Sequence, residues 1–236
     1  MELEGRRLEA GLPGRQGRLL FTYLVANRER IVTRDELASV AWPTQAPSSA
    51  DTSLRALLSR LRRLLGQEAL TGRQDLRLKL PVDAWVDLET AEARVHEAEA
   101  AVLTQDWNRA VVGATIAFQI SRRGFLPGED APWIDEHRSR LEHIHLRALE
   151  CDARSSLGIG GSEVAAAARD ACRLIDLAPY RESGYRLLME TLARQGNRAE
   201  ALIVYDRLRR TLREALGTSP SPASRAAHRR LLDDMD

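Results

Sequence analysis

Cysteine is scarce in this 236-residue chain: Cys151 and Cys172 are too few and too far apart for a disulfide framework or a Cys-rich metal site. A pair of reduced, packed thiols is the expectation. Aromatic residues amount to 5% of the sequence, which leans toward helix packing rather than sheet. Long apolar runs are missing too. The charge-free stretch Ala110 to Ser121 is far shorter than the about 20 residues a spanning helix needs, and Gly113, Gln119 and Ser121 interrupt it. No membrane contact is expected. The opening MELEGRRLEAG lacks the apolar core of a signal peptide, so a cytoplasmic location is expected. Nor is there a surplus of one charge, since 35 Lys and Arg meet 34 Asp and Glu.

That balance conceals an uneven distribution. Residues 1–81 carry 14 Lys and Arg against 9 Asp and Glu, net +5, which leaves 21 against 25, net −4, in the rest. Between Thr52 and Lys79 the cations Arg55, Arg60, Arg62, Arg63, Arg73, Arg77 and Lys79 face only Glu68 and Asp75. Such a local excess is the footprint of a polyanion partner, although a solvated charged face has the same composition. The length allows two domains of about 100–150 residues each.

Short β segments are expected around Leu3 and Leu8, separated by the turn-like Glu4-Gly5 and closed by Gly11, Pro13 and Gly14. Leu19, Leu20, Tyr23 and Leu24 recur at helical spacing and predict a first helix over Arg15 to Asn27. Thr33 and Glu36 fit a capping box, which starts a short second helix, Arg34 to Ala41. The loop Trp42 to Ser49 holds Pro43 and Pro47 and cannot sustain a helix. A third helix begins near Ser49 or Asp51, with Leu54, Leu57, Leu58, Leu61 and Leu65 in a single stripe and Thr52, Ala56, Ser59, Arg60 and Arg63 opposite. Beyond Gly66, the order Ala69-Leu70-Thr71, Gly72-Arg73-Gln74-Asp75, Leu76-Arg77-Leu78-Lys79-Leu80 reads as a basic hairpin whose second strand is half buried. Three helices followed by a basic hairpin is the order of a winged helix, closed by a linker over Pro81 to Trp85.

From Val86 onward the chain reads as helix after helix, with breaks at Gln105-Asp106, Gly124 to Pro132, Gly158 to Gly161, Ala178-Pro179, Gly196-Asn197 and Gly217 to Pro222. Gly161 and Gly196 lie 35 residues apart and each opens a helix after a break. A period of about 34 residues is the tetratricopeptide signature, with an irregular α bundle as the alternative. The fold class is therefore mainly α: an N-terminal winged helix-turn-helix with small β elements over 1–81, then an all-α repeat domain over 82–236 in which Trp107, Trp133, Tyr180, Tyr185 and Tyr205 are expected in the core.

No catalytic constellation emerges. His137, His143 and His145 are spaced by six and two residues, not the i, i+4 pair that presents two imidazoles on one face, and solvated or capping roles are expected. Gly158-Ile159-Gly160-Gly161 lacks the preceding strand of a dinucleotide fingerprint, and no serine sits in a nucleophile elbow. An enzyme is not expected, nor a cofactor or metal.

Two regions carry a family resemblance. The segment GRQGRLLFTYLVANRERIVTRDELASVAWP with ADTSLRALLSRLRRLLG resembles the OmpR-type winged helix at the head of the SARP class of actinobacterial regulators. The segments FLPGEDAPWIDEHRSRLEHIHLRALE and LAPYRESGYRLLMETLARQGNRAEALIVYDRLRRTLREALGTSPSP resemble the bacterial transcriptional activation domain that follows it in that class. The resemblance implies a DNA-binding regulator, an activator, with Thr52 to Leu65 as recognition helix in the major groove and residues 70–80 as a wing near the minor groove. Arg60 is the expected base reader, because its planar fork matches guanine. Thr52, Ser53, Arg55, Ala56 and Ser59 are expected to touch bases or phosphates, Arg62 and Arg63 to hold phosphates, and Arg73 and Arg77 to flank the minor groove. The loop with Trp42, Thr44 and Gln45 matches a surface that touches RNA polymerase, or else Trp42 plugs the core. Implied partners are double-stranded DNA, RNA polymerase holoenzyme and a second copy on direct repeats; the helical domain would serve protein contacts or effector response. Relatives carry more strand before Leu3, so a shortened leading sheet is expected, and they carry a Gly-Tyr pair where this wing reads Gly72-Arg73-Gln74-Asp75-Leu76, which bears on how closely the wing follows the minor groove. The rival reading is a helical-repeat interaction scaffold, or a regulatory part of a larger sensor, without direct DNA binding.

Overall fold

The computed structural model describes residues 2–3, 6–7, 11–81 and 84–233. They fall into two compact units, Met1–Val86 and Asp87–Asp236.

In the first unit, β1 (Glu2–Leu3) pairs antiparallel with β2 (Arg6–Arg7). Leu8 and the Glu4-Gly5 turn lie outside the described residues, as do Val82 and Asp83 of the linker. Helix α1 (Gly14–Ala26) buries Leu19, Leu20, Phe21 and Leu24. The two-residue strand β3 (Val32–Thr33) runs straight into α2 (Arg34–Ala41). The capping box forms as the sequence predicts. The Glu36 backbone N–H donates to Thr33 Oγ1 at 3.2 Å, and the Thr33 N–H donates to Glu36 Oε2 at 2.7 Å. That donation is the first cause holding the Glu36 carboxyl below its ordinary value.

Helix α3 (Ala50–Leu65) presents Leu54, Leu58, Leu61 and Leu65 to the core, one apolar stripe along its length. Leu57, expected in that stripe, is only half buried, at its edge. Strands β4 (Leu70–Thr71) and β5 (Asp75–Leu78) form the hairpin, and β5 also pairs with β3, giving the order β3-β5-β4. Leu76 and Leu78 are buried while Asp75 and Arg77 are exposed, the alternation expected of a half-buried strand. The turn depends on Gly72, whose φ is +89° and where an added Cβ would lie 1.8 Å from the Asp75 carbonyl oxygen.

The second unit is α4 (Asp87–Leu103), α5 (Trp107–Ser121), α6 (Pro132–Ile159), a 3-10 turn (Gly161–Glu163), α7 (Val164–Leu177), α8 (Glu182–Arg194), α9 (Arg198–Leu216) and α10 (Pro222–Asp233). Each helix from α4 to α9 packs on the next, the nearest-neighbour order of a helical repeat array. Small residues set the spacing: Ala91, Ala98 and Ala101 on α4 and Ala110, Gly113 and Ala114 on α5 are buried. A larger core fills α6 to α10 around Tyr185, Leu174, Ile175 and Leu208.

Several sequence expectations need correction here. Tyr180 is 53% exposed and is no core residue, whereas Tyr185 and Tyr205 are buried. Cys151 is buried but Cys172 is exposed, so the thiols are not both packed. His137 and His145 are half buried rather than solvated. His137 packs against Phe125, and His145 stacks on Phe118 at 4.7 Å with its Nδ1 3.0 Å from Ser121 Oγ. Burial lowers the pKa of both imidazoles.

Candidate nucleic-acid interface

The leucine stripe fixes which side of α3 is left outside. Thr52, Arg55, Ala56, Ser59, Arg60 and Arg63 are exposed, and Ser53 is half buried. With 3.6 residues per turn, Thr52, Ala56, Ser59, Arg60 and Arg63 lie along one face. Arg73 and Arg77 are exposed on the wing. In the loop before α3, Thr44 and Gln45 are exposed and Trp42 is half buried at the end of α2.

Arg62 is placed differently from its neighbours. Its Nε donates to the Leu70 carbonyl at 3.0 Å and its Nη2 to the Gly72 carbonyl at 2.6 Å. The guanidinium expected to hold a phosphate thus straps α3 to the wing strand. Two residues outside the sequence-derived set complete the frame. Arg34, first in α2, donates from Nε and Nη2 to Asp51 Oδ1 at 3.0 and 2.7 Å, while Arg55 Nη2 donates to the other oxygen at 2.8 Å. The Arg34 backbone N–H also donates to the Gln74 carbonyl at 2.9 Å, which ties α2 to the wing tip.

These bonds gather Arg34, Asp51, Arg55, Arg62, Arg73 and Gln74 around a cleft of about 630 Å³. Arg60, Arg63 and Arg77 lie outside that cleft. Four guanidiniums surround one carboxylate, and both of that carboxylate's oxygens are already bonded to Arg34 and Arg55. The i, i+4 pair of Asp51 and Arg55 is visible in the sequence. The reach from Arg34 to Asp51, 17 residues along the chain, carries no local signal.

Burial, the largest cause, pushes the Cys151 thiol up to about 12, which leaves almost no thiolate at neutral pH. Among the described residues, no group of three or more His, Cys, Asp or Glu side chains could hold a metal ion. Among them, too, no helix is long and apolar enough to cross a membrane.

Comparison with known proteins places this geometry in a class. The family described as bacterial transcriptional activator domain matches residues 86–232, and the one described as transcriptional regulatory protein, C terminal, matches residues 11–75. The chain belongs to the bacterial transcriptional activator domain family and, with the second domain in front, to the SARP class of transcriptional regulators. It is 33% identical over 235 residues to regulatory protein AfsR of Streptomyces griseus, covering 95% of this chain and 23% of that protein. To transcriptional regulatory protein EmbR of Mycobacterium tuberculosis it is 27% identical over 240 residues, covering 98% of this chain and 61% of that one. The chain thus spans under a quarter of the first relative and about three fifths of the second. The structure of Mycobacterium tuberculosis EmbR in complex with a low-affinity phosphopeptide superposes with a TM-score of 0.76 at 24% identity, over 93% of this chain and 59% of that one, and shares the fold. These relatives are named as regulators, not enzymes.

Proposed function

We propose that the chain is a DNA-binding activator of transcription acting in the cytoplasm, with the DNA-binding part in residues 1–81 and the activation part in residues 82–236. Helix α3 enters the major groove over Thr52 to Leu65. Arg60 reads a base; Thr52, Ser53, Arg55, Ala56 and Ser59 touch bases or phosphates; Arg63 holds a phosphate. The wing over residues 70–80 lies by the minor groove through Arg73 and Arg77. Arg62, committed to the Leu70 and Gly72 carbonyls, sets the angle between helix and wing. Two copies bind side by side on direct repeats, Trp42, Thr44 and Gln45 meet RNA polymerase holoenzyme, and the helical unit serves protein contacts or effector response.

The observation that carries this reading is the exposed basic face of α3, backed by a buried leucine stripe and strapped to a basic hairpin. An amphipathic helix with no partner has no need of such a frame. The test is electrophoretic retardation of a promoter pool. Arg60→Ala is expected to weaken binding to the retained fragments by about tenfold or more, the loss of a good bidentate base contact. No retardation, or retardation indifferent to both Arg60→Ala and Arg63→Ala, would leave the winged helix as a protein-interaction module.

A further inference from the structure

We propose that the groove between α6, α8 and α10 is a binding site for a small amphiphilic anion, an apolar body carrying a carboxylate, phosphate or sulfonate head. The inference deepens the effector reading of the helical unit and rests on none of the DNA contacts. The groove has a volume of about 470 Å³, within the span of roughly 300–1,000 Å³ typical of small-molecule sites. Its floor is apolar, made by the buried side chains of Leu187, Met189 and Leu231. Its rim is cationic, with Arg154 from α6, Arg186 from α8 and Arg230 from α10.

The protein answers these three cations unequally. Arg186 donates from Nη1 to Ser224 Oγ at 3.1 Å, a neutral partner that is itself fully buried and so fixes where the guanidinium sits. Arg154 reaches Glu150 Oε1 only at 3.5 Å, while the other oxygen of that carboxylate takes Arg181 at 3.1 Å and Ser183 at 2.8 Å. Arg230 has no hydrogen bond or ion pair among the described residues. The one carboxylate in the lining, Glu190, pairs with Arg194 at 3.5 Å.

Some arginines of the helical unit are matched across helices. Arg147 meets Glu99 through two bonds of 2.6 Å, Arg109 meets Glu97 at 2.9 Å, and Arg140 pairs with Glu92. Around one apolar hollow, Arg154, Arg186 and Arg230, of which only Arg154 makes an ion pair among the described residues, outnumber the one lining carboxylate, Glu190, and form a local positive field. Their mutual repulsion is relieved by an anion seated among them. The planar fork of arginine suits a carboxylate or phosphate head, and the apolar floor suits a hydrocarbon or aryl body.

The test uses the full chain without DNA and the fluorescent probe 8-anilinonaphthalene-1-sulfonate. Saturable binding is expected at one probe per chain, with decanoate and decyl phosphate as competitors that separate a carboxylate from a phosphate preference. Arg154→Gln and Arg230→Gln are each expected to weaken probe binding by about tenfold, the loss of one charge-assisted bond, and the Lys variants to weaken it less. Arg209→Gln, an exposed arginine paired with Asp206 outside the groove, serves as the control and is expected to change nothing. Probe binding that does not saturate, or that is unchanged in both Gln variants, overturns the proposal. So does retention of an acidic decapeptide by a chain that ignores all three small anions, which would assign the groove to a protein partner. A chain that binds the probe as expected but retards no DNA keeps the groove and discards the DNA reading.

Discussion

Asp152 on α6 and Asp170 on α7 are half-buried carboxyls, near enough for each to shift the other's pKa. Desolvation by burial is the largest cause of the shift, followed by the charge of Asp170, and together with Glu163 they raise Asp152 to about 6. Asp170 is also raised by burial, against the pull of Asp152, Arg169 and Arg173. Because the folded value of Asp152 lies above the unfolded value of 3.8, protonation favours the folded state. The stabilisation from protonated Asp152 is therefore complete below the unfolded value and is lost as pH rises through about 6. Asp152→Asn removes the titrating charge at every pH. The variant is expected to melt about 2–4 °C higher than the parent near neutral pH, on the order of 1 kcal/mol after allowing for solvent screening, and the gain should shrink as pH falls below about 6 and vanish near the unfolded value of 3.8. Thermal melts across pH decide the matter, since a gain equal at neutral pH and near pH 4 would mean that Asp152 is not raised above its unfolded value.

At the scale of elements, two glycines carry opposite lessons about what a sequence discloses. Gly113 lies in the middle of α5, where alanine would favour the helix by about 0.8–1 kcal/mol. An added Cβ, however, would lie 2.8 Å from the Arg94 carbonyl oxygen and 3.2 Å from Ala98 Cβ on α4. Overpacking of this kind costs about 1–3 kcal/mol, so Gly113→Ala is expected to be net destabilising in chemical denaturation, and a stabilised variant would refute the close approach of α4 and α5. Nothing in the sequence around Gly113 discloses that neighbour. Gly72 is legible, because it stands in a turn between alternating strands. Its left-handed φ leads to the expectation that Gly72→Ala distorts the wing, weakens DNA retardation and leaves the far-ultraviolet dichroism of the helices unchanged. The same division runs through both units. The capping box at Thr33, the leucine stripe of α3 and the alternation of β5 are periodic or nearest-neighbour patterns, and all three were readable. The strap from Arg62 to the wing, the Arg34–Asp51 clamp and the packing of His137 and His145 join residues distant in sequence. Composition does not encode them, so arginines that look equivalent on paper divide into struts and free cations.

At the scale of the whole molecule, charge separates the two units. Met1–Val86 holds 14 Lys and Arg against 10 Asp and Glu, net +4, and the unit from Asp87 holds 21 against 24, net −3. A net negative unit gains nothing from phosphate neutralisation, so the salt dependence of DNA binding should report the first unit alone. If about six phosphates are contacted, log K against log salt concentration has a slope of about −5. The same experiment separates the arginines by role. Arg63→Ala, as a phosphate contact, is expected to reduce the slope by about 1 and to weaken binding alike on promoter and unrelated DNA. Arg60→Ala, as a base contact, is expected to weaken promoter binding while leaving unrelated DNA nearly untouched, so the ratio of the two affinities falls. Arg62→Ala belongs to neither class: its guanidinium is spent on the Leu70 and Gly72 carbonyls, so the slope should hold while affinity drops through a loosened wing. Titrations of the three variants at several salt concentrations, on a promoter fragment and on unrelated DNA, measure both quantities. A slope that falls for Arg62→Ala as it does for Arg63→Ala would return Arg62 to the phosphate backbone and remove the strap from the mechanism.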